Sequence, residues 1–309
     1  MILCCGEALI DMIPGRSDQG QKSFVPHAGG AVFNTAVALG RLGVDTGMIT
    51  GLSHDLFGAQ LAQALKDSDV NCELSITSDL PTTLAFVELN EGQARYTFYD
   101  ENTAGRSLTP EQLPDLPEKV SALYFGGISL ISEPGADFYA ALALREAPDR
   151  LIVLDPNIRA AFIRDEARYR ARLNKMIAVT DVVKVSDEDL DWILPGPQAL
   201  EEKARALCAQ GPWVVIVTRG GEGALAFLTE GDQVDVPANR VAIVDTVGAG
   251  DTFNAGVMAK LIENGLLRKA RLKDIGANEM SAALAHGATV AAVTVSRAGA
   301  NPPWAHELP

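Results

Sequence analysis

The chain has 309 residues, 47% of them hydrophobic, enough for a sizeable core in one large α/β domain or two smaller ones. Its 40 acidic residues outnumber 26 basic ones and leave a formal net charge of −14, which argues against nucleic acid or an anionic membrane as partner. The four cysteines, Cys4, Cys5, Cys72 and Cys208, lack zinc-site spacing and are too few for a disulfide scaffold.

In chain order, the apolar run Ile2–Ile13 reads as one strand that continues past a kink at Gly6 and Glu7, with Cys4 and Cys5 as buried thiols. Residues 32–43 carry Val32, Ala36, Leu39 and Leu42 near helical spacing, with Gly43 as a stop, and residues 57–67 repeat the pattern. Thr82–Leu89 and Ala94–Tyr99, separated by Asn90-Glu91-Gly92, predict a β-hairpin. From about residue 120 the rhythm becomes strand then helix. The strands are Ala122–Phe125, Leu151–Leu154, Val182–Val185 and Val214–Thr218, with helices expected at 136–146, 166–178 and 198–209. This alternation predicts a mostly parallel sheet flanked by helices, with sites at the C-terminal strand ends. Segments 251–264 and 274–292 are Ala-rich and helical. The N-terminus has no basic segment, Asp11 cuts its apolar run short, and no stretch approaches about 20 apolar residues. The expectation is a cytoplasmic protein without signal peptide or membrane span.

Two motifs carry chemistry. In Asp245-Thr246-Val247-Gly248-Ala249-Gly250-Asp251-Thr252-Phe253, small residues precede an acid at a predicted helix start. Free backbone N–H groups there attract anions, and Gly248, Ala249 and Gly250 let a phosphate approach closely. Asp251, ionised at an ordinary pKa near 3.9, would stand beside it as general base. The bland alternative is an acid that caps a helix. In the second motif, His27-Ala28-Gly29-Gly30-Ala31-Val32-Phe33-Asn34 runs on to Arg41-Leu42-Gly43. Gly29 and Gly30 can bring backbone close to a ligand, and Asn34 can donate and accept as sugar hydroxyls require.

Together these motifs resemble the two signatures of the ribokinase-like, or PfkB, family of small-molecule kinases. The resemblance spans nearly the whole chain. It implies a single ribokinase-like domain over residues 1–309 with a small β-sheet lid formed by segments near 12–25 and 82–104. It implies an ATP-dependent sugar kinase, with Mg²⁺, a K⁺ ion beside the anion cradle, and a homodimer through the lid. Asp11 then looks like the acid that binds sugar hydroxyls, and Asp155-Pro156-Asn157-Ile158-Arg159 places Arg159 on phosphate or a substrate oxygen. Tyr96 and Phe98 share one face of the lid strand, where they would close over the sugar or form a lid or dimer core. Lys184, Ser186, Thr218, Gly220 and Gly223 fall on the nucleotide side, and Asn278 and Ser281 where the adenine wall is expected. Asp245 and the Val247 carbonyl would hold the monovalent cation. Where many members have Asn-x-x-Glu for the magnesium shell, this chain has Ser186-Asp187-Glu188-Asp189, so Asp189 and Glu188 compete for that role through water.

Within the family the stretches around Asp11, 98–106 and 155–159 resemble fructokinase-like members. A 2-keto-3-deoxygluconate kinase is the alternative, with Arg95, Arg106 and Arg159 as cations for its acid substrate. A non-catalytic sugar-binding regulator on the same fold is the reading from a different class.

Overall fold

The computed structural model describes residues 1–90 and 93–309, and the side chains of all of these except 89, 90 and 93–95. The chain opens with β1 (Ile2–Cys5), β2 (Leu9–Arg16), β3 (Lys22–Gly29), α1 (Ala31–Arg41), β4 (Thr46–Ile49), β5 (Gly51–Ser53) and α2 (Leu56–Lys66). Next come β6 (Val70–Asn71), β7 (Ile76–Ser78), β8 (Leu84–Asn90), β9 (Gln93–Tyr99), β10 (Ala122–Gly126), α3 (Gly135–Glu146), β11 (Leu151–Asp155) and α4 (Glu166–Ile177). The last part holds β12 (Val182–Ser186), α5 (Asp187–Ile193), α6 (Leu200–Cys208), β13 (Val214–Thr218), β14 (Ala224–Leu228) and β15 (Gln233–Val236). It ends with α7 (Ala249–Glu263), α8 (Lys269–Leu272) and α9 (Ala277–Val295).

Nine strands form one sheet in the order β15-β14-β13-β12-β11-β10-β1-β4-β6. Its pairings are parallel from β13 to β6, and β14 and β15 add antiparallel to one edge. The expected α/β fold with a mostly parallel central sheet is therefore present. The central strands are apolar on both faces because helices cover both. Ile2 and Cys4 point into a layer with α1, α2, α7 and α9, while Leu3 and Cys5 point into one with α3 to α6. Burial pushes both thiols far above the ordinary range, which leaves them inert. Among the described residues no helix is long and apolar enough to cross a membrane.

The opening run differs from its reading as one kinked strand. β1 lies in the large sheet, whereas β2 lies in a separate four-stranded sheet of order β3-β2-β8-β9. The break falls at Gly6 to Ala8, where the buried Glu7 carboxylate accepts N–H bonds from Ala31 at 3.0 Å and Ser129 at 3.1 Å. An acid that must find donors on two other segments redirects the chain out of the first sheet. Helix α5 escaped the periodicity reading because it is only seven residues long. The predicted hairpin appears as antiparallel β8 and β9. Its Glu91-Gly92 turn and the Arg95 side chain lie outside the described residues.

Helices α7 and α9 cross through a glycine pair. A Cβ built on Gly256 would stand 2.8 Å from the Gly287 Cα and 2.9 Å from a Val290 methyl. Gly256→Ala gains about 1 kcal/mol of helix propensity but forces backbone apart, so a net loss of about 1–2 kcal/mol is expected. Denaturant unfolding of the variant checks this, and an unchanged midpoint would show that the helices separate at no cost.

Candidate active site

The two motifs meet where α1 packs on α7. Gly248 adopts φ 78°, in the left-handed region, and turns the chain into α7. The Ala249 N–H donates to the Thr246 carbonyl at 3.3 Å, while the next N–H groups of α7, at Gly250 and Asp251, have no intrahelical acceptor by position and lie at a cleft of about 360 Å³. The Lys184 ammonium stands beside this turn, 3.4 Å from where a Cβ on Gly250 would lie. Helix dipole and ammonium together make an anion site.

The Asp251 carboxylate, in the first turn of α7, accepts a hydrogen bond from the Asn34 amide at 2.9 Å. The Thr35 hydroxyl of α1 donates to the Asp251 carbonyl at 3.2 Å. Burial pushes the Asp251 carboxyl up to about 7, with Asn34 opposing the shift and the Asp155 charge adding to it. Asp155, at the end of β11, is buried too. Its Oδ2 accepts from the Lys184 ammonium at 3.0 Å and from the Asn254 amide at 2.6 Å. Asn254 also donates to the Tyr124 hydroxyl at 3.0 Å.

The opposite wall comes from the small sheet. Asp11 on β2 pairs with His27, next to the Gly29 turn. A Cβ on Gly29 would collide with the Asp11 carboxylate, so the glycine makes room for it. Burial, then the nearby Glu7 charge, raise the Asp11 carboxyl to about 6. Gly30 follows at φ 108° and opens α1 under the Glu7 carboxylate. Tyr96 and Phe98 stack at 6.1 Å over the cleft, and Phe98 meets Phe162 edge-to-face at 4.8 Å. Arg159 lies exposed at the rim, its guanidinium 3.2 Å from its neighbour's carbonyl at Ile158.

Of the residues expected on the nucleotide side, Lys184 lines the cleft. Ser186 and Thr218 sit in register at the ends of β12 and β13. Gly220 (φ 51°) and Gly223 (φ 106°) shape the following turn, whose Gly220 side is open. Asn278 and Ser281 are not brought to this cleft. The Val244 and Asp245 N–H groups bond the Val295 carbonyl, and Gly287 packs on Phe253, so α9 runs antiparallel to α7. The start of α9 therefore lies on the order of 20 Å from the start of α7.

Asp189 spends one oxygen on the Ile158 N–H at 3.1 Å, and its other reaches back to the Ser186 N–H in a capping box. Glu188 is exposed on the first turn of α5. Among the described residues no three acids, histidines or cysteines converge on one point, so the donor set does not form a closed metal cage. Asp245 accepts from the Val247 N–H at 3.0 Å and from the Gly299 N–H at 2.9 Å, which ties the two loops beside the cradle. Sequence reasoning assigned no role to Glu7, Asp155, Tyr124 or Asn254. Two signals were available: an acid ending an apolar strand (Asp155), and an amide one helical turn after Asp251 (Asn254).

The profile of the pfkB family carbohydrate kinases matches residues 1–307. Among curated relatives, a fructokinase of Rhizobium leguminosarum bv. trifolii is 50% identical over 279 residues, covering 89% of this chain and 84% of the relative. Among solved structures, a fructokinase of Xylella fastidiosa with bound ATP superposes with a TM-score of 0.87 at 28% identity, covering 97% of this chain and 93% of that one. A Vibrio cholerae fructokinase variant, solved with fructose, ADP and a potassium ion, gives 0.83 at 25% identity over 97% and 93%. With both signatures meeting at one cleft and a match along its whole length, the chain belongs to the PfkB family of carbohydrate kinases.

Proposed function

We propose that this sugar kinase transfers the γ-phosphoryl group of ATP to a hydroxyl of fructose. The observation that carries the reading is the Asp251 carboxylate held by Asn34 at the anion-binding start of α7. The sugar hydroxyl attacks phosphorus and its proton passes to the Asp251 carboxylate. The new O–P bond forms as the bond to the ADP oxygen breaks. Preorganised N–H groups of α7 and the Lys184 ammonium stabilise the charge on the transferring group. Asp11 and the Gly29-Gly30 turn bind sugar hydroxyls, and the Tyr96–Phe98 face covers the sugar against water. Magnesium, when bound with ATP, neutralises its phosphates; Asp189 is placed to meet its shell only through water, and Glu188 is the rival.

A neutral sugar suits this cleft better than a keto acid. Glu7, Asp11, Asp155 and Asp251 all line it. Arg106, one candidate cation for a carboxylate, is engaged by Asp100 at 2.8 Å and by the Glu133 carbonyl at 3.0 Å. The fructokinase relative and the fructose-bound neighbour support the same choice. We place K⁺ at Asp245 and the Val247 carbonyl, and read the small sheet as a lid and dimer face. Its outer surface carries an edge-to-face row of Phe24, Phe86 and Tyr99, with Tyr99 61% exposed. A single monomeric species on sizing at micromolar concentration would remove the dimer.

ADP release with ATP and Mg²⁺ across fructose, 2-keto-3-deoxygluconate, ribose, glucose and adenosine tests the substrate. Fructose is expected to lead and K⁺ to accelerate it, whereas preference for the keto acid would move the substrate and keep the chemistry.

The free-enzyme kcat/KM should fall about tenfold per pH unit below an apparent pKa near 7, because protonation removes the base. A profile flat from pH 5 to 8 would sink the base assignment.

Asp251→Asn should lower kcat by about 10²–10⁴ and retain sugar binding, separating an enzyme from a sugar-binding regulator. The same variant should be more stable at pH 8. The Asp251 carboxyl titrates near 7 when folded and near 3.9 when unfolded, so its contribution is full below about pH 4 and lost as pH rises through 7. Removing the buried charge should raise Tm at pH 8 by at least about 2 °C, with little change at pH 4. Equal Tm values at pH 8 would show that the carboxylate is already solvated.

A further inference from the structure

A second cavity of about 360 Å³ lies behind the aromatic wall of the sugar cleft, between β9, the start of α3 and the start of α4. Four residues line both spaces: Tyr96, Phe98, Ile128 and Phe162. The Phe98–Phe162 edge-to-face contact therefore forms part of the partition between them. Phe98 belongs to β9, and Phe162 to the short turn Ala160–Phe162 that follows the Asp155-to-Arg159 loop. The contact is the seam between lid and body.

The chemistry of the second cavity is specific. Its charges have partners: Arg106 pairs with Asp100 at 2.8 Å, Ser132 donates to the other Asp100 oxygen at 2.8 Å, Glu133 faces Arg168 at 3.4 Å, Asp165 accepts from the Arg168 N–H at 3.0 Å, and Arg164 faces Glu101, outside the lining, at 3.3 Å. Tyr169 of α4 also lines it, with its hydroxyl buried away from the space. Paired charges and polar walls beside the Phe98 and Phe162 rings suit a neutral, hydroxylated group rather than an ion.

We propose that the second cavity is a latent extension of the acceptor site, and that Phe162 closes it and thereby limits the acceptor to a single sugar ring. This rests on the sugar-kinase reading above. The reacting hydroxyl faces Asp251, so the remote end of the sugar faces the Tyr96–Phe98 roof and the partition behind it. A glycosyl or alkyl substituent at that end collides with Phe162. Without the ring, the substituent enters a space as large as the cleft itself. Phe162 is the specificity-determining side of the pair. Phe98 also stacks on Tyr96 over the sugar, so truncating it disturbs the cleft as well.

The test compares kcat/KM for fructose, methyl β-fructofuranoside and sucrose in the parent, Phe162→Ala and Phe162→Leu. The ratio of substituted to free sugar should rise at least about tenfold in Phe162→Ala and less in Phe162→Leu. An unchanged ratio in variants that still phosphorylate fructose overturns the proposal. If Phe162→Ala does not fold, Phe162→Leu carries the comparison. A parent inactive on fructose would defeat the substrate reading instead. The crystal structure of Phe162→Leu would then decide, and two cavities still separated would overturn the extension.

Discussion

The site depends on one buried contact, α1 against α7, closed by the Asn34–Asp251 hydrogen bond between residues 217 apart in sequence. It aims the start of α7 at the cleft and takes a carboxylate out of water. A carboxylate so placed resists ionisation, and a single amide donor offsets only part of that cost. The result is an acid whose proton affinity lies near neutrality, where a base both exists in its ionised form and accepts a proton readily. Stability is spent at this point, as is common where activity needs a buried charge.

The other acids of the cleft are committed differently. Asp155 is bound by Lys184 and Asn254, so its charge is compensated and it orients the ammonium beside the phosphate-binding turn. Glu7 accepts backbone N–H groups from α1 and from the segment after β10, so it fixes the glycine turn that faces the cleft. Asp11 has its space cleared by Gly29. In the proposed mechanism similar side chains thus act as base, positioning group, scaffold and substrate ligand according to the donors each one meets. The small sheet divides its labour by face. Tyr96 and Phe98 look into the cleft, and Tyr99 and Phe86 look outward, because alternate residues of a strand point opposite ways.

Much of the architecture was legible because it is local. Alternating apolar strands and helical stretches announced a parallel α/β sheet, and small residues before Asp251 announced an anion-binding helix start. One departure has a clear cause. Ile2–Ile13 is apolar but for Gly6, Glu7 and Asp11, yet its two halves belong to different sheets, since Glu7 had to find donors far along the chain. Asn278 and Ser281 sit on the expected helix, whose direction against α7 keeps them away from the turn that opens α7. Asp189 was legible as an acid one turn after β12, but its bond from the Ile158 N–H was not.

By itself the sequence determined most of the elements and the kinase signatures, with the acid we propose as base among them, since spacing and residue type suffice for helix starts, turns and phosphate cradles. Only the tertiary structure decided which acids are compensated, where Asp251 titrates, and that Phe98 and Phe162 separate two cavities. Those properties arise from burial and from partners supplied by segments distant in the chain, and no local pattern encodes either.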